Sequence, residues 1–438
     1  MLNTHSSAHA LRRHLLAGTG LLLALAPVTA MASGFYIVEQ SPKATGRAYS
    51  GEVADTGPES LWWNPASIAG QTGASAHIGA SAILPSAKLT NVSTIIVRPG
   101  QSPAAVGGDQ VVNNPIQKGV VPVGAIAYGF NDKIAVGLAV TAPFNFTTDL
   151  PATSWARYSA TRTSLRTIDI QPSLALQPIP GLRLGVGLNI EHADASLANA
   201  LPNLSPLLAD GTQTLKGKGW DLGVSAGLQF QRGPVTIGAS FKSAVKHKLA
   251  GSVTITGLLG PLAANNAVVS TEASFTTPWQ AIFGLRYAIT PAITINLQST
   301  ATGWSKFDAI RLGAPLNAAL PQNYRDTWAF AGGIDVAVSP KWTLRTGVLR
   351  DQTPVRNNYR DARVPDSNRW LIGAGVTHQI SRKASIDAGV NYVMLDSAPI
   401  NRNTAAYVGT SAQTPVLVNG TVSDAHVVIL ALGGRFSF

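Results

Sequence analysis

The sequence lacks cysteine, has few charged residues and contains no long apolar run beyond its first 32 residues. Without cysteine, a disulfide scaffold, a thiolate zinc site and a cysteine nucleophile are excluded. Charged residues make up 13% of the chain, whereas soluble proteins usually carry roughly 25%. Hydrophobic residues make up 45%, too many for a disordered chain. Because a membrane-spanning helix needs about 18 consecutive apolar residues or more, helical spans are excluded after residue 32.

The first 32 residues have the pattern of a signal peptide. Arg12 and Arg13 form a basic segment, residues 15–28 are apolar, and residues 30–32 (Ala-Met-Ala) fit a small-x-small cleavage site. The alternative, a transmembrane anchor, fails because about 14 apolar residues fall short of the roughly 20 that a bilayer core requires. We therefore expect residues 1–32 to be a signal peptide and the chain to be exported.

The chain is basic, with a formal net charge of +11 that falls to +9 once Arg12 and Arg13 are removed. Export argues against a nucleic-acid partner, and so does the absence of any basic cluster longer than Arg382-Lys383. A basic exported protein instead suits anionic headgroups, which predicts outer-membrane lipid and lipopolysaccharide as surroundings.

From residue 72 onward, apolar side chains alternate with small or polar ones. Leu184, Val186 and Leu188, for example, alternate with Gly185 and Gly187. A polar face of Gly, Ser, Thr, Asn and Asp is typical of a barrel lumen. The alternation predicts fourteen strands, at 72–83, 119–130, 133–147, 163–178, 182–193, 216–231, 234–256, 270–289, 292–310, 323–338, 341–352, 367–380, 384–399 and 422–438.

The connections between these strands alternate strictly between six tight turns and seven long loops. Backbone polar groups in lipid must all be paired, so a sheet in a membrane has to close on itself. Closed bacterial barrels have an even strand number, short periplasmic turns and long extracellular loops. The sequence therefore predicts an all-β, 14-stranded antiparallel transmembrane β-barrel over 72–438, in the outer membrane of a Gram-negative bacterium.

Aromatic residues at the predicted strand ends indicate the girdles that flank a barrel's lipid-facing band. A terminal aromatic such as Phe438, at the end of an apolar face, resembles the assembly signal of outer-membrane barrels, so we expect the barrel-assembly machinery to be a partner. The predicted girdle residues are Tyr128, Phe130, Tyr287, Trp304, Trp328, Trp342, Trp370 and Tyr392.

Residues 33–71 do not fit a barrel wall, because they are rich in glycine and proline and show little alternation. Nearly 40 residues are too many for a structureless tail in a compact fold. A barrel of fourteen strands also encloses more space than its wall side chains fill. We therefore expect residues 33–71 to form a hatch, or plug, inside the lumen.

An ordered set of motifs resembles the FadL/TodX family of outer-membrane transporters of long-chain fatty acids and aromatic hydrocarbons. The resemblance extends over nearly the whole chain after the signal peptide. The motifs are Gly34-Phe35, Gly46-Arg47-Ala48-Tyr49-Ser50-Gly51, Asn64-Pro65-Ala66, Trp304-Ser305, Tyr324-Arg325-Asp326, Trp342-Thr343-Leu344-Arg345-Thr346-Gly347, Asp351-Gln352-Thr353-Pro354-Val355 and Val364-Pro365-Asp366-Ser367-Asn368-Arg369.

The resemblance implies passive uptake of hydrophobic molecules. Such a molecule is caught at extracellular loops, passes to a lumen site beside the hatch N-terminus, and leaves sideways through a wall opening at an inward kink in the third strand. Phe35 and Tyr36 are then expected to line the site, with plug packing as the alternative. Asn64, Pro65 and Ala66 match the hatch motif, and a rigid structural turn is as good an interpretation of them as gating.

The kink is expected at Pro143, Phe144 and Asn145. Proline within a strand removes a hydrogen-bond donor from the ladder, so it favours locally broken pairing there. Phe144 is also a candidate for substrate binding. Many relatives have glycine where this chain has Asn145, which leaves the geometry of the kink open.

Arg325 and Arg157 are the candidates for binding a fatty-acid carboxylate. Arg325 lies where the resemblance places a basic residue, and pairing with Asp326 is the alternative. Residues 191–194 (Glu-His-Ala-Asp) are acidic where fatty-acid carriers are basic, so a neutral hydrocarbon substrate stays open.

Leucines in loop 194–215 are spaced as in a short amphipathic helix. Together with the leucines of loop 257–269 they predict an exposed apolar surface that captures the substrate. Packing of the loops on one another is the alternative. The five leucines of the first loop are Leu197, Leu201, Leu204, Leu207 and Leu208.

No catalytic constellation, metal-ligand spacing or cofactor motif is present in the sequence, so we expect neither an enzyme nor a cofactor or metal site. The remaining alternative is a structural or adhesive outer-membrane barrel without a transported ligand, which would need neither a hatch nor a broken third strand. We expect a monomer.

Overall fold

The computed structural model describes residues 34–438, so the predicted signal peptide at 1–32 lies outside the described residues. Fourteen antiparallel strands form the wall of a closed barrel, as the sequence predicts. The wall strands are β1 (Gly73–Asn91), β2 (Val111–Asn113 and Gly119–Gly129), β3 (Ile134–Thr141 and Asn145–Asp149), β4 (Arg162–Ile179), β5 (Leu182–Leu201), β6 (Gly211–Arg232), β7 (Val235–Lys242 and Val245–Thr256), β8 (Ala267–Thr277 and Trp279–Thr290), β9 (Ile293–Gly303), β10 (Thr327–Ser339), β11 (Trp342–Asp351), β12 (Arg369–Ser381), β13 (Ala384–Leu395 and Ala398–Ile400) and β14 (Gly420–Ser437).

The barrel closes where β1 pairs with β14, from Ser75 opposite Ser437 to Asn91 opposite Gly420. Each wall strand also pairs with its neighbour in sequence, so the wall is an up-and-down meander. Closure leaves no free sheet edge in the bilayer, where an unpaired backbone group would have no water to bind.

Side chains alternate between lipid and lumen as the period of two predicts. On β5, Leu184, Val186 and Leu188 are exposed on the outer surface, whereas Asn189 and Glu191 are buried inside. Outward apolar side chains face the hydrocarbon, and inward polar ones surround the hatch.

The prediction of an aromatic girdle is wrong for Trp304. The other seven residues of that set are exposed on the outer surface, but Trp304 is completely buried. Strand β9 ends at Gly303, and Trp304–Lys306 form a 3₁₀ turn that directs the indole inward. The sequence shows an aromatic at a strand end but not the direction in which the chain turns after it.

The prediction of a helix in loop 194–215 is also wrong, because β5 continues to Leu201 and β6 begins at Gly211. Leu197 and Leu201 are four residues apart, a spacing that places them on one face of a strand as well as of a helix. Leu201 packs with Leu258 and Leu262 of the other loop. These loop leucines therefore pack on one another, whereas Leu207 is 94% exposed.

Residues 34–71 lie inside the barrel and are almost entirely buried. Their regular structure is one helical turn, α1 (Pro42–Thr45), and 3₁₀ turns at Glu52–Ala54, Pro58–Ser60 and Pro65–Ile68. In the part of the chain from 34 to 438, no helix is long and apolar enough to cross a membrane.

Buried charges join this hatch to the wall. Arg47 bonds Glu52 and Asp55 within the hatch and reaches Asp335 of β10 at 2.9 Å. Arg435 of β14 reaches Glu59 at 3.2 Å. Because these charges are desolvated, each needs its partner in place, and the hatch is therefore held in one position.

Long loops cover one end of the barrel and build small structures of their own. A four-stranded sheet consists of Ile95–Ile96, Ala104–Ala105, Thr404–Ala406 and Thr414–Leu417. A hairpin of Ala309–Leu312 and Ala318–Pro321 pairs with β8. Further 3₁₀ turns lie at Gly260–Asn265 and Asn357–Tyr359.

Candidate functional site

The third wall strand is interrupted at residues 142–144. Pairing of β2 with β3 ends at Gly124 opposite Val140. It resumes only where the amide of Gln117 donates to the carbonyl of Thr147, at 3.1 Å. Between these points the wall lacks the ladder between β2 and β3, since Pro143 has no backbone N–H to donate.

The N-terminus of the hatch occupies the inner side of this interruption. Ile37 donates its amide to the carbonyl of Pro143 at 2.8 Å, and Asn145 donates its amide to the carbonyl of Phe35 at 3.1 Å. Tyr36 and Phe144 thereby face each other as in an antiparallel ladder. The hatch therefore supplies the hydrogen bonds that the neighbouring wall strand does not.

Gln40 and Asn145 hold the interruption in place with their side-chain amides. Gln40 Nε2 donates to the backbone carbonyl of Ala142 at 3.1 Å, and Gln40 Oε1 accepts from the backbone amide of Ala142 at 3.3 Å. On the other side, Asn145 Oδ1 accepts from the amide of Thr167 on β4 at 3.2 Å. Asparagine at this position thus ties the kink to β4 with a side chain that glycine would lack.

Phe35 and Tyr36 point in different directions from this bridge. The ring of Phe35 makes edge contacts with Trp304, at 4.9 Å between centroids, and Phe307, at 5.0 Å. Tyr36 stacks on Trp62 of the hatch at 5.8 Å. Phe144 contacts both, at 5.9 and 5.7 Å. The predicted residues Phe35, Tyr36 and Phe144 are therefore in direct contact.

Phe35 forms one wall of an apolar cavity of about 70 Å³ inside the barrel. Its lining comes from strands β3 to β8, the hairpin after β9 and the loop after β11, and only one lining residue, Arg363, is charged. The main lining side chains are Phe35, Phe146, Leu165, Leu197, Leu215, Leu249, Phe275, Phe307, Ile310, Gln322, Arg363 and Val364.

Next to this cavity, the long loops between the wall strands enclose a wider vestibule of about 760 Å³. Leu201 and Leu262 contribute apolar surface to it, and Tyr158 and Tyr407 contribute aromatic surface. The vestibule and the apolar cavity share two lining residues, Gln322 and Arg363. These two side chains therefore lie at the neck between the spaces.

The two arginines predicted to bind a carboxylate line neither space. Arg157 donates from Nε to Asp210 at 2.8 Å, and from its two Nη atoms to backbone carbonyls of its own loop and of the loop after β1. Burial by itself would lower the pKa of Arg157, but the interactions led by the hydrogen bond to Asp210 outweigh it, and the pKa is raised above its ordinary value. Arg325 is exposed and donates to the carbonyl of Thr353 at 3.2 Å, whereas Asp326 accepts from the amide of Ser305. Their part in substrate binding stays a prediction.

The hatch motif forms a rigid turn against the wall. Asn64 caps the turn Pro65–Ile68, accepting from the amide of Ala66 at 2.9 Å and donating to the carbonyls of Val53 and Leu228 at 2.7 and 3.1 Å. The approach to β6 is so close that a Cβ on Gly227 would lie 1.8 Å from Asn64 Oδ1. Only glycine at position 227, which has no Cβ, permits this close contact between the hatch and the wall.

Sequence reasoning missed Arg363 and Gln322. Arg363 directly precedes one of the recognised motifs, and both residues are in loops without alternation, so no local pattern marks them. It also missed Lys242, an inward residue of β7 whose Nζ lies 3.6 Å from the ring centroid of Trp62, beside the kink. No group of three or more potential metal ligands occurs between residues 34 and 438.

Comparison with known proteins gives consistent matches over most of the chain. Residues 23–438 match the profile of a family described as outer membrane protein transport protein (OMPP1/FadL/TodX). A long-chain fatty acid transport protein of Escherichia coli strain CFT073 is 27% identical over 410 residues, which is 85% of this chain and 89% of the relative. A 47 kDa outer membrane protein of Pasteurella multocida is 26% identical over 397 residues, 84% of this chain and 88% of the relative.

Solved structures share the fold. A FadL homologue of Pseudomonas aeruginosa has a TM-score of 0.81 at 21% identity and covers 92% of this chain and 100% of its own. The toluene transporter TbuX of Ralstonia pickettii has a TM-score of 0.62 at 18% identity, covering 91% and 100%. At these identities the likeness concerns the fold alone.

Proposed function

The chain belongs to the OMPP1/FadL/TodX family of outer-membrane transport proteins, and from this premise we propose that it takes up hydrophobic molecules by passive diffusion across the outer membrane. Relatives are named for long-chain fatty acids and, among solved structures, for toluene. We propose these two classes, an apolar chain with a carboxylate or a small aromatic hydrocarbon, as the candidate substrates. We propose no catalytic step.

The route we propose begins in the vestibule, continues into the apolar cavity and ends at a lateral opening beside Pro143, Phe144 and Asn145. One observation carries it: Phe35 lines the cavity, while the backbone from Phe35 to Ile37 bonds the interrupted strand. Displacing three hatch residues would thus open the cavity toward the gap in the wall. An apolar substrate loses little by leaving such a cavity for the bilayer, whereas a water-filled exit would be unfavourable.

For the individual residues, we propose that Phe35, Tyr36 and Phe144 contact the substrate and move when it arrives. Asn64, Pro65 and Ala66 anchor the hatch during that movement. Arg157 and Arg325 are proposed only as secondary sites, for initial attraction of an anion.

Equilibrium binding to the purified, detergent-folded barrel tests this function, with radiolabelled oleate and radiolabelled toluene as probes. We expect saturable binding of at least one probe. Arg157→Ala and Arg325→Ala are compared with Arg382→Ala, a change in an exposed turn at the other end of the barrel. Oleate binding that weakens in Arg157→Ala or Arg325→Ala but not in the control would give those arginines their predicted role.

The absence of saturable binding of either probe would contradict transport and favour a structural or adhesive barrel. A second test of transport is growth with oleate or toluene as sole carbon source, in a Gram-negative host that lacks its own fatty-acid transporter. Growth with this chain and not with empty vector is the expected result.

The partners we propose follow from the barrel's surface. The outward apolar band contacts outer-membrane lipid and lipopolysaccharide, and the exposed terminal Phe438 is recognised by the barrel-assembly machinery. Removing Phe438 should lower the amount of folded barrel in the membrane, measured by its heat-dependent mobility on gels. We propose a monomer, which sedimentation in detergent tests.

A further inference from the structure

The neck between the vestibule and the apolar cavity holds a cation with unused hydrogen-bonding capacity. Arg363 lines both spaces, and its Nη2 donates to Asn199 Oδ1 at 3.3 Å. Its Nη1 is buried and has no hydrogen-bond partner. A buried unsatisfied donor is costly, and more so when it carries charge.

Asp361, the nearest acid in sequence, makes no ion pair with the guanidinium of Arg363. Asp361 accepts one bond from the guanidinium of Arg402 at 2.9 Å and another from the backbone amide of Arg363 at 2.8 Å. Among residues 34–438 the guanidinium of Arg363 makes no ion pair. Burial lowers the pKa of Arg363 from its ordinary value, which Asp361 offsets in part. The side chain is thus short of negative charge.

The cavity below the neck contains no carboxylate, and Arg363 is its one charged lining residue. The vestibule above has two cations, Arg363 and Arg402, against the single acid Asp361. An anion entering from outside therefore meets a net positive neck and gains a partner there. A neutral hydrocarbon gains no such interaction.

Gln322 adds a second donor at the same place. Its Nε2 makes only a long bond of 3.4 Å, to the carbonyl of Leu320. Since a carboxylate has two oxygens, each able to accept hydrogen bonds, Arg363 Nη1 and Gln322 Nε2 suit its two atoms.

We propose that Arg363, assisted by Gln322, binds the head group of an amphiphilic monocarboxylate at the neck and directs its apolar tail into the cavity toward Phe35. This inference rests on the proposed function and deepens it, because it selects the fatty-acid class over the neutral hydrocarbon. It also assigns an orientation, head toward the extracellular side and tail toward the hatch.

Oleate and its uncharged counterpart oleyl alcohol test the proposal, because they share a tail and differ in the head. In Arg363→Gln the side chain keeps an amide that can bond Asn199 but loses the charge. Oleate should bind about ten- to a hundredfold more weakly than to the wild type, the range for a hydrogen bond to a charged group. Binding of oleyl alcohol should change less than about twofold, because its head group has no charge to pair with Arg363.

Arg356→Gln is the matched control, since Arg356 lies in the same loop, is exposed and bonds only the carbonyl of Asn323 among the described contacts. It should leave the affinity for oleate unchanged. Arg363→Lys should retain part of the affinity because it keeps the charge, and Gln322→Met should weaken oleate binding less than Arg363→Gln does. Heat-dependent gel mobility verifies that every variant is folded.

Either of two results with Arg363→Gln would overturn the inference without touching the proposed function: saturable oleate binding equal to that of the wild type, or equal weakening of oleate and oleyl alcohol binding. The second would show that the residue shapes the cavity and does not bind the anion. Saturable toluene binding together with no oleate binding would overturn it as well. If neither oleate, oleyl alcohol nor toluene binds the wild type, the proposed function itself fails.

Discussion

A disulfide between positions 36 and 144 should block the proposed lateral exit. Tyr36 and Phe144 face each other as a pair flanked by two backbone bonds, Ile37 to Pro143 and Asn145 to Phe35. Such non-hydrogen-bonded pairs have Cα atoms about 4.5 Å apart, within the roughly 4.4–6.8 Å that a disulfide spans. Because the chain has no cysteine, Tyr36→Cys with Phe144→Cys introduces the only two thiols.

The magnitude follows from the contacts that hold the hatch N-terminus. The two backbone bonds contribute about 1–3 kcal/mol together, and the ring contacts of Phe35 with Phe144, Trp304 and Phe307 about 1.5–4.5 kcal/mol more. A substrate that fills the cavity replaces the ring contacts, so only the backbone bonds then resist opening. A cost of about 1–3 kcal/mol corresponds to an open population of roughly 1–15%, enough for slow exchange. A covalent link removes that population.

The assay is uptake of radiolabelled oleate and toluene by cells that carry the double variant, under oxidising conditions and after addition of dithiothreitol. Uptake should fall to the empty-vector level when oxidised and recover on reduction. The single variants Tyr36→Cys and Phe144→Cys are the controls, because each loses one of the two aromatic rings without forming the link. Their uptake should not respond to the reductant. Equal uptake by the oxidised and reduced double variant would refute the reasoning and place the exit elsewhere.

Two further changes test how the hatch is held. Arg47→Leu leaves the buried Glu52 without its ion-pair partner, whereas Asp55 and Asp335 keep other cations. It should destabilise the barrel by about 3–5 kcal/mol, seen as a lower temperature of gel-mobility change. Arg350→Leu removes a longer and more exposed ion pair, with Asp396 at 3.5 Å, and should cost less than about 1 kcal/mol; equal midpoints would contradict the role of Arg47. Gly227→Ala should lower the yield of folded barrel or displace the hatch, because its methyl group overlaps Asn64, and displacement would appear as faster entry of hydrophilic antibiotics. Gly124→Ala, whose nearest atom is 3.6 Å away, is the control and should behave as wild type.

The sequence alone predicts the barrel because that architecture rests on local patterns. Alternation of lipid-facing and lumen-facing residues, as in Leu184 and Gly185, follows from the period of a strand, and the rhythm of short turns and long loops follows from closure. The composition of residues 33–71 likewise indicates a segment that is not wall. None of these inferences needs a contact between distant residues.

Where local patterns fit two structures, the sequence was insufficient. The leucines at 197 and 201 satisfy both a strand and a helix, and the tertiary structure selects the strand because β4 and β6 extend beside it. Trp304 has the position of a girdle residue in sequence, but the turn after β9 brings it onto Phe35, some 270 residues away along the chain.

The polar side of the candidate site was decided by tertiary structure alone. Arg157, Arg325 and Arg363 are all arginines in loops between wall strands, and their neighbouring residues do not show which of them has an acidic partner. Loop packing gives Arg157 the partner Asp210, places Arg325 on the surface and leaves Arg363 at the neck with one donor unpaired. Alternation is enforced along each strand by lipid on one side and polar contacts on the other, but the partner of a loop charge depends on segments far apart in sequence, which only the closed barrel brings together.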